Sequence, residues 1–252
     1  MRNALPMVVV SGGKGGVGTS TIALQLATAV SRLGSRVILV EADLDRGGQI
    51  KQSCDGLSIT ECLAGRSLVC DALEPGDDGI WVLPGAWAPR ELTECTATAQ
   101  DRLIQELRSL KAQADLLIVD AGSNRNPFVR KFWRVASMVL VISTPDTNAV
   151  MDSYAAIKVL LAGETSIPVY TLVNFAIDRS NAFLVHERVR VTCKRFLGLR
   201  TAALGEVPVM QPIQESHPNP TAIATIFDPL GQSLCEELGM PTGKVISFRV
   251  TT

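Results

Sequence analysis

The chain has few of the residues on which metal centres, disulfide frameworks and membrane spans depend. Its 252 residues include two histidines and six cysteines, and the cysteines form no CxxC pair. His186 and His217 lack a neighbouring cysteine or carboxylate pattern, so neither is expected to bind a metal. No signal peptide begins the sequence, which favours reduced thiols in a cytoplasmic protein. The longest apolar runs are also too short to span a bilayer.

An excess of charge of either sign is also missing. The chain has 24 Lys and Arg against 25 Asp and Glu, a net charge of −1, which gives no general attraction to nucleic acid or anionic lipid. Two local basic segments remain, at residues 125–134 and 188–200. The first carries Phe132 and Trp133 among its cations, so contact with nucleic acid or a partner is one interpretation. Buried rings beneath a solvated basic face are the alternative.

What the sequence has in abundance is hydrophobic residues, at 46%, grouped in short β-branched runs. These runs predict strands at 7–10, 36–40, 79–83, 115–120, 138–142 and 169–174. Amphipathic patterns predict helices at 20–33, 97–110, 148–161, 182–196 and 221–238. Apolar strands that alternate with helices indicate an α/β fold, a doubly wound, mostly parallel sheet with helices on both faces.

We expect one domain over residues 1–252, because no segment has the composition of an interdomain linker. Turn-forming residues predict surface loops at 74–78, 84–89 and 214–220. Residues 239–252 are expected to form a loose tail or an edge strand.

A glycine-rich loop, SGGKGGVGTST, joins the first predicted strand to the first predicted helix. Its glycines let backbone N–H groups approach phosphate oxygens at the positive end of a helix. Ser20 stands where a hydroxyl would bind Mg²⁺, and Thr21 can contact a phosphate or cap the helix. A glycine turn that only caps the helix is the alternative.

The stretch KGGVGTST resembles the deviant Walker A motif of the MinD/ParA class of P-loop ATPases, usually KGGVGKT. Lys14 matches the signature lysine that, in this class, reaches the partner's phosphates in a nucleotide-sandwich dimer. Thr19 replaces the second lysine, which contacts the β- and γ-phosphates within one subunit. The resemblance implies an ATP- or ADP-binding homodimer with weak or absent hydrolysis. It implies phosphate contacts from Gly13, Lys14, Gly15, Gly16, Val17, Gly18, Thr19, Ser20 and Thr21.

Two further segments resemble the acidic elements of the same class. VILVEADLDRGGQ is similar to the second strand and switch I, with Asp43 at the carboxylate that positions metal-bound or attacking water. DLLIVDAGSN is similar to the Walker B strand and switch II, with Asp120 at the strand end. The resemblance implies that Ser20, Asp43 and Asp120 hold Mg²⁺ and that Lys14 and Asp43 are catalytic. It also implies a protein partner that docks on the switch regions.

The segment STPDTNAVMDSYAAIKVL resembles the flagellar-number regulators FlhG/FleN, a MinD-like subgroup. In LVNFA, Asn174 stands where this class reads the adenine edge, although a turn-forming asparagine is the alternative. Residues 204–216 resemble the base-side loop, which makes Pro208 a base-side contact. The basic amphipathic helix with which such relatives end is not found after residue 238, so no direct membrane anchor is expected.

Two functions fit these patterns. The first is an ATP-dependent switch that positions or regulates a cellular machine: a flagellum, a pilus, a division site or a plasmid. The second is a non-catalytic scaffold, similar to the CpaE/TadZ localisation proteins, in which the lysine pattern also departs from the usual form.

Overall fold

The computed structural model describes residues 5–44, 57–85, 96–123, 125, 127–146, 148–161, 166–209 and 220–242. Within these ranges the chain forms eight strands and seven α-helices, with short 3-10 turns between some of them. The strands are β1 Met7–Gly12, β2 Val37–Glu41, β3 Glu74–Pro75, β4 Trp81–Leu83, β5 Leu116–Asp120, β6 Met138–Ser143, β7 Val169–Ala176 and β8 Thr201–Pro208. The helices are α1 Thr19–Arg32, α2 Ile59–Ala64, α3 Ala97–Ser109, α4 Pro127–Val135, α5 Ala149–Leu160, α6 Arg179–Leu197 and α7 Pro220–Leu238.

The eight strands form one sheet in the order β3-β4-β2-β5-β1-β6-β7-β8. Every pairing except that of β3 with β4 is parallel. Val10 of β1 and Glu41 of β2 both stand beside Asp120, because β5 lies between β1 and β2. The carboxyl ends of the central strands therefore meet at one edge, where ligands of open α/β sheets bind. This arrangement confirms the predicted fold class.

Helices cover the sheet on both faces, and successive residues of β1 point to opposite layers. Val8 and Val10 pack with α1 and α7 on one face. Met7 and Val9 pack with α2 to α6 on the other face. The central strands are thus buried on both sides, which explains why their sequences are continuously apolar rather than alternating.

The strand β8 was not predicted. The expectation that residues 204–208 belong to a base-side loop is therefore wrong. Residues 204–208 belong to this edge strand, and residues 210–216 lie outside the described ranges. The sequence of β8, TAALGEVP, is poor in β-branched and aromatic residues, so it lacks the usual strand signal. Pairing with β7 along one edge, with two register shifts, supplies the order instead.

The helix α4 was also not predicted, and it decides between the two interpretations of residues 125–134. Phe132 and Trp133 are fully buried in the core. Lys131 on the same helix donates to Ala97 O and forms an ion pair with Asp101. The interpretation that nucleic acid contacts these two rings is therefore wrong, and the alternative, that both rings are buried, is confirmed.

The thiols were expected to be reduced, and neither of the two histidines was expected to bind a metal. Cys62, Cys193 and Cys235 are free and buried, and Cys70 is free and exposed. Cys54, Cys95 and His217 lie outside the described ranges. His186 is partly buried with its Nδ1 at 2.6 Å from Thr171 Oγ1, as expected for a packed histidine. No helix among the described residues combines the length and hydropathy needed to cross a bilayer.

Candidate functional site

The glycine-rich loop lies at the carboxyl edge of the sheet, between β1 and α1. Gly18 precedes α1 with a φ of 86°, a left-handed value that glycine adopts without strain. The first turn of α1 is fully described, contains no acidic residue and receives no side-chain cap. Its N–H groups are therefore available to an anion, at the positive end of the helix dipole.

A cleft of about 150 Å³ opens over this loop. Seven loop residues line it, namely Lys14, Gly15, Gly16, Gly18, Thr19, Ser20 and Thr21, together with Asp43, Gly122 and Ser123. Gly13 and Val17 belong to the same loop, but they are buried and do not line the cleft. Most of the predicted phosphate-binding residues thus line one cleft together with Asp43, which stands well after the loop in the sequence.

Two side chains from other elements hold the loop in shape. Asn174 at the end of β7 is buried, donates from Nδ2 to Val17 O at 2.9 Å, and accepts from Phe175 N at 2.9 Å. Arg125 donates from Nη2 to Gly13 O at 2.7 Å. These bonds satisfy carbonyls of an irregular segment that has few partners of its own, so they stabilise the open shape of the loop.

Asp43 and Ser20 line one side of the cleft, and the buried Asp120 lies behind them. Asp120 Oδ1 accepts from Gly122 N at 3.0 Å, and Ser20 hydrogen-bonds to the Asp120 carboxyl. Gly122 has a φ of 59°, and a Cβ at this position would overlap the Asp43 carboxylate. Asp43 can therefore lie against the backbone of the segment that follows β5 only because residue 122 is glycine.

The electrostatics of this side of the cleft suit a cation. Burial raises the pKa of Asp120 above its ordinary value, and the nearby Asp43 carboxylate raises it further, while hydrogen bonds from Ser20 and Gly122 oppose the rise. Two carboxylates and a hydroxyl are the hard oxygen ligands that Mg²⁺ prefers. A divalent cation bound here would relieve both the repulsion and the desolvation of Asp120. The donor set therefore fits Mg²⁺ together with phosphate.

Lys14 does not point freely into solvent in the single chain. Its Nζ lies 2.8 Å from Asp146 Oδ2, in the loop between β6 and α5. Asp146 also accepts from the Thr144 hydroxyl and from the backbone N–H groups of Asn148 and Ala149, at 3.2 and 3.1 Å. The Lys14 ammonium and the Thr144 hydroxyl hold the pKa of Asp146 below its ordinary value. The Lys14 ammonium is thus already paired with a carboxylate of the same chain.

Thr19, the residue that the resemblance aligns with a lysine, begins α1 and borders the cleft. It is 7% exposed, and its Oγ1 would stand 2.6 Å from a Cβ built on Gly12. The threonine side chain therefore packs against the start of the loop while it borders the cleft. Since no lysine stands here, this position contributes no positive charge to the cleft.

The two predicted base-side residues lie further along the same edge. Asn174 and Pro208 stand at the ends of the neighbouring strands β7 and β8. Pro208 is exposed and borders a second cavity of about 410 Å³ between β7, β8 and α7. The Asn174 amide already makes the two hydrogen bonds described above, and contact of either residue with a base stays a prediction.

Three residues of the site were missed by sequence reasoning. Asp146, Arg125 and Gly122 contact Lys14, Gly13 and Asp43, respectively, across long stretches of chain. Only Gly122 carried a local signal, because it stands two residues after Asp120 at the end of β5. The other two contacts depend on the parallel order of the sheet, which brings distant loops to one edge.

Fold and site together define the class: a P-loop nucleotide-binding protein with a mostly parallel sheet. Residues 8–217 match the CobQ/CobB/MinD/ParA nucleotide binding domain, and the chain belongs to that family. Among curated proteins it is 25% identical to the antiactivator FleN of Pseudomonas aeruginosa over 223 residues, 88% of this chain and 80% of FleN. It is 28% identical to the septum site-determining protein MinD of Bacillus subtilis over 174 residues, 66% of this chain and 63% of that protein.

Solved structures give the same fold. The cell division ATPase MinD of Pyrococcus furiosus has a TM-score of 0.73 at 19% identity, with 92% of this chain and 99% of that chain covered. MinD of Pyrococcus horikoshii OT3, complexed with Mg-ADP, also has a TM-score of 0.73, at 16% identity, with 91% and 95% covered. The chain therefore shares its fold with these solved structures.

Proposed function

We propose that this protein is an ATP-binding switch of the MinD/ParA type, which dimerises on ATP·Mg²⁺ and positions or regulates a cellular machine. The observation that supports this most strongly is the cleft itself, a backbone cradle for phosphate lined by Ser20 and Asp43, with the buried Asp120 bonded to Ser20 behind it. The cradle suits phosphates because it offers N–H groups at a helix start, and the carboxylates suit the accompanying metal ion.

Nucleotide binding is tested by isothermal titration of the full chain with ATP or ADP, with and without Mg²⁺. We expect binding of both nucleotides, stronger with Mg²⁺, because Asp43 and Asp120 repel phosphate unless a cation lies between them. An absence of binding up to millimolar nucleotide would contradict the proposal. The chemistry that bound Mg²⁺ supplies is neutralisation of phosphate charge.

The proposed ATP-dependent dimerisation depends on Lys14. A lysine that meets the partner's phosphates couples the charge of the ligand to association, through a charge-assisted hydrogen bond of about 1.5–3 kcal/mol. Lys14→Ala should therefore lose ATP-dependent dimerisation while its monomer stays folded. Light scattering with and without ATP is the measurement, and equal masses for both proteins in both conditions would contradict the role in trans.

Hydrolysis is proposed to be slow because of Thr19. Backbone N–H groups and Ser20 supply much of the ground-state phosphate binding, so nucleotide affinity survives without a second lysine. Charge that develops on the phosphoryl oxygens during hydrolysis finds no cation at Thr19, and one such group is typically worth about 10²–10³ in rate. Asp43 is proposed to orient the attacking water. Thr19→Lys should raise basal phosphate release at least several-fold and change nucleotide affinity less.

The non-catalytic scaffold of the CpaE/TadZ type is the second candidate, and Thr19 is the observation that favours it. Phosphate release measured at several protein concentrations separates the two functions. If Lys14 of the partner subunit contacts the phosphates, ATP is hydrolysed faster at higher protein concentration. A scaffold shows no turnover at any protein concentration. Wild-type turnover equal to that of Thr19→Lys would remove the main support for the scaffold.

The machine is proposed to be one that needs a defined place or number in the cell. The similarity to FleN, and to a protein of Helicobacter pylori named as flagellum site-determining, favours a flagellum. The similarity to MinD of Bacillus subtilis keeps a division site as the alternative. A partner is proposed to dock on the segments that follow β2 and β5, since Asp43 and Gly122 lie there beside the cleft.

A further inference from the structure

We propose that the outer side of α6 is a docking surface for an acidic amphipathic helix of a partner protein. This surface, called here the α6 face, consists of Leu184, Arg188, Val191 and Arg195, which follow one another at helical spacings of four, three and four residues. It lies apart from the nucleotide cleft and from the segments that follow β2 and β5. Its role is therefore separate from nucleotide binding.

The apolar members of the α6 face are unusually open to solvent. Leu184 is 53% exposed and Val191 is 51% exposed, while Val189 and Cys193, which point away from this stripe, are buried. Phe183 and Phe196 are more than 60% exposed, but with about 3.6 residues per turn they lie on the two flanks of the helix, outside the α6 face. Single exposed apolar residues are ordinary, but Leu184 and Val191 lie on one line with two arginines, which marks a candidate contact surface.

The charge of the same helix is strongly positive in a chain that is otherwise balanced. α6 contains five Lys and Arg against one glutamate, a net charge of +4, whereas the whole chain has −1. The glutamate, Glu187, is already paired with Arg190 at 2.6 Å. Neither Arg188 nor Lys194 forms an ion pair with another described residue. The α6 face therefore presents cations that a carboxylate-bearing partner would complement.

The surface continues from α6 onto α5. The rings of Tyr154 and Phe196 meet edge to face, with centroids 6.1 Å apart. The Arg195 guanidinium lies 5.3 Å from the centre of the Phe196 ring, and the Lys158 ammonium lies 6.0 Å from that of Tyr154. These contacts fix both rings and two cations, so a partner would meet a largely ordered surface that costs less entropy to bind.

The pattern favours a protein helix over the other possible occupants. A membrane-bound helix inserts one continuous apolar face, but here cations alternate with Leu184 and Val191 along a single line. Nucleic acid makes its contacts through phosphates and stacked bases, for which exposed aliphatic side chains are poor partners. Residues 243–252 contain two cations and no acid, and a symmetric second copy would bring like charges together. An acidic amphipathic helix matches both the charge and the spacing.

The test uses the full chain and a synthetic peptide about five helical turns long. In this peptide, leucines at helical spacing are separated by glutamates. Binding is followed by fluorescence anisotropy against three comparisons: a scrambled peptide of the same composition, a DNA duplex, and vesicles that contain phosphatidylglycerol. We expect the helical peptide to bind at least tenfold more tightly than the scrambled one. Tighter binding of the duplex or the vesicles, or equal binding of the two peptides, overturns the proposal.

Variants assign the binding to the α6 face. Arg188→Glu with Arg195→Glu should weaken the peptide at least tenfold, because attraction becomes repulsion. Leu184→Asn with Val191→Asn should also weaken it several-fold, which a purely electrostatic contact would not show. Arg108→Glu, an exposed charge reversal on α3, is the matched control and should leave the affinity unchanged. Peptide affinity that is equal in all variants, with folding verified by circular dichroism, contradicts the proposal.

Discussion

The ion pair between Lys14 and Asp146 should oppose the dimerisation that the protein is proposed to undergo. If Lys14 reaches the partner's phosphates, it must first leave Asp146, whose Oδ2 lies 2.8 Å from Nζ. Asp146→Asn removes the charge of the pair but keeps an oxygen that accepts from the N–H groups of Asn148 and Ala149. The start of α5 is thus retained, while the hold on Lys14 is weakened and the Thr144 hydroxyl meets an amide instead of a carboxylate.

The size of the effect follows from the exposure of the two side chains. Lys14 is 39% exposed and Asp146 is 44% exposed, so solvent screens the pair. Exposed pairs of this kind are worth about 0.2–1 kcal/mol each. Because a symmetric dimer releases two lysines, the gain is about 0.4–2 kcal/mol, or roughly 2- to 30-fold in the dimerisation constant.

The assay is sedimentation velocity over a range of protein concentrations with ATP and Mg²⁺. We expect Asp146→Asn to dimerise at lower concentration than wild type, with a smaller difference at high salt because screening weakens the pair. Asp101→Asn is the matched control, since it removes another exposed ion pair, that with Lys131, far from the cleft. Equal or weaker dimerisation of Asp146→Asn would refute the reasoning.

Three further substitutions test the cleft and the residues that support it. Gly122→Ala should abolish most of the Mg²⁺-dependent gain in nucleotide affinity, measured by titration, because its Cβ displaces the Asp43 carboxylate; Gly198→Ala, with a similar φ of 67° and open space, is the control that should retain it. Asp120→Asn should raise the melting temperature of the nucleotide-free protein near pH 7, since the raised pKa of Asp120 means that its stabilising, protonated form is lost as pH rises through that value. This advantage should vanish in acid, and a variant that melts below wild type near pH 7 would contradict the argument. Asn174→Ala leaves Val17 O without its partner, which costs about 1–3 kcal/mol; equal losses of ATP and GTP affinity would indicate that Asn174 acts through the loop alone, and a larger loss for ATP would indicate base contact.

The sequence by itself determined the fold class and most of the cleft. Continuous apolar strands that alternate with helices specify a parallel sheet, and the glycine pattern before α1 specifies a phosphate cradle. These signals are local, because each depends on the order of residues within one strand, loop or helix. The same holds for Ser20 in the first turn of α1, Asp43 just after β2 and Asp120 at the end of β5, since each lies beside an element that the sequence predicts.

Only the tertiary structure decided what these residues touch. Asp146 pairs with Lys14 across 132 residues, and Asn174 reaches Val17 across 157, because the order of the strands places β6 beside β1 and β7 next to β6. The edge strand β8 and the burial of Phe132 and Trp133 were likewise decided by neighbours rather than by local composition. Sequence pattern records which face of an element is apolar, but the choice of partner depends on packing between elements, which no local pattern contains.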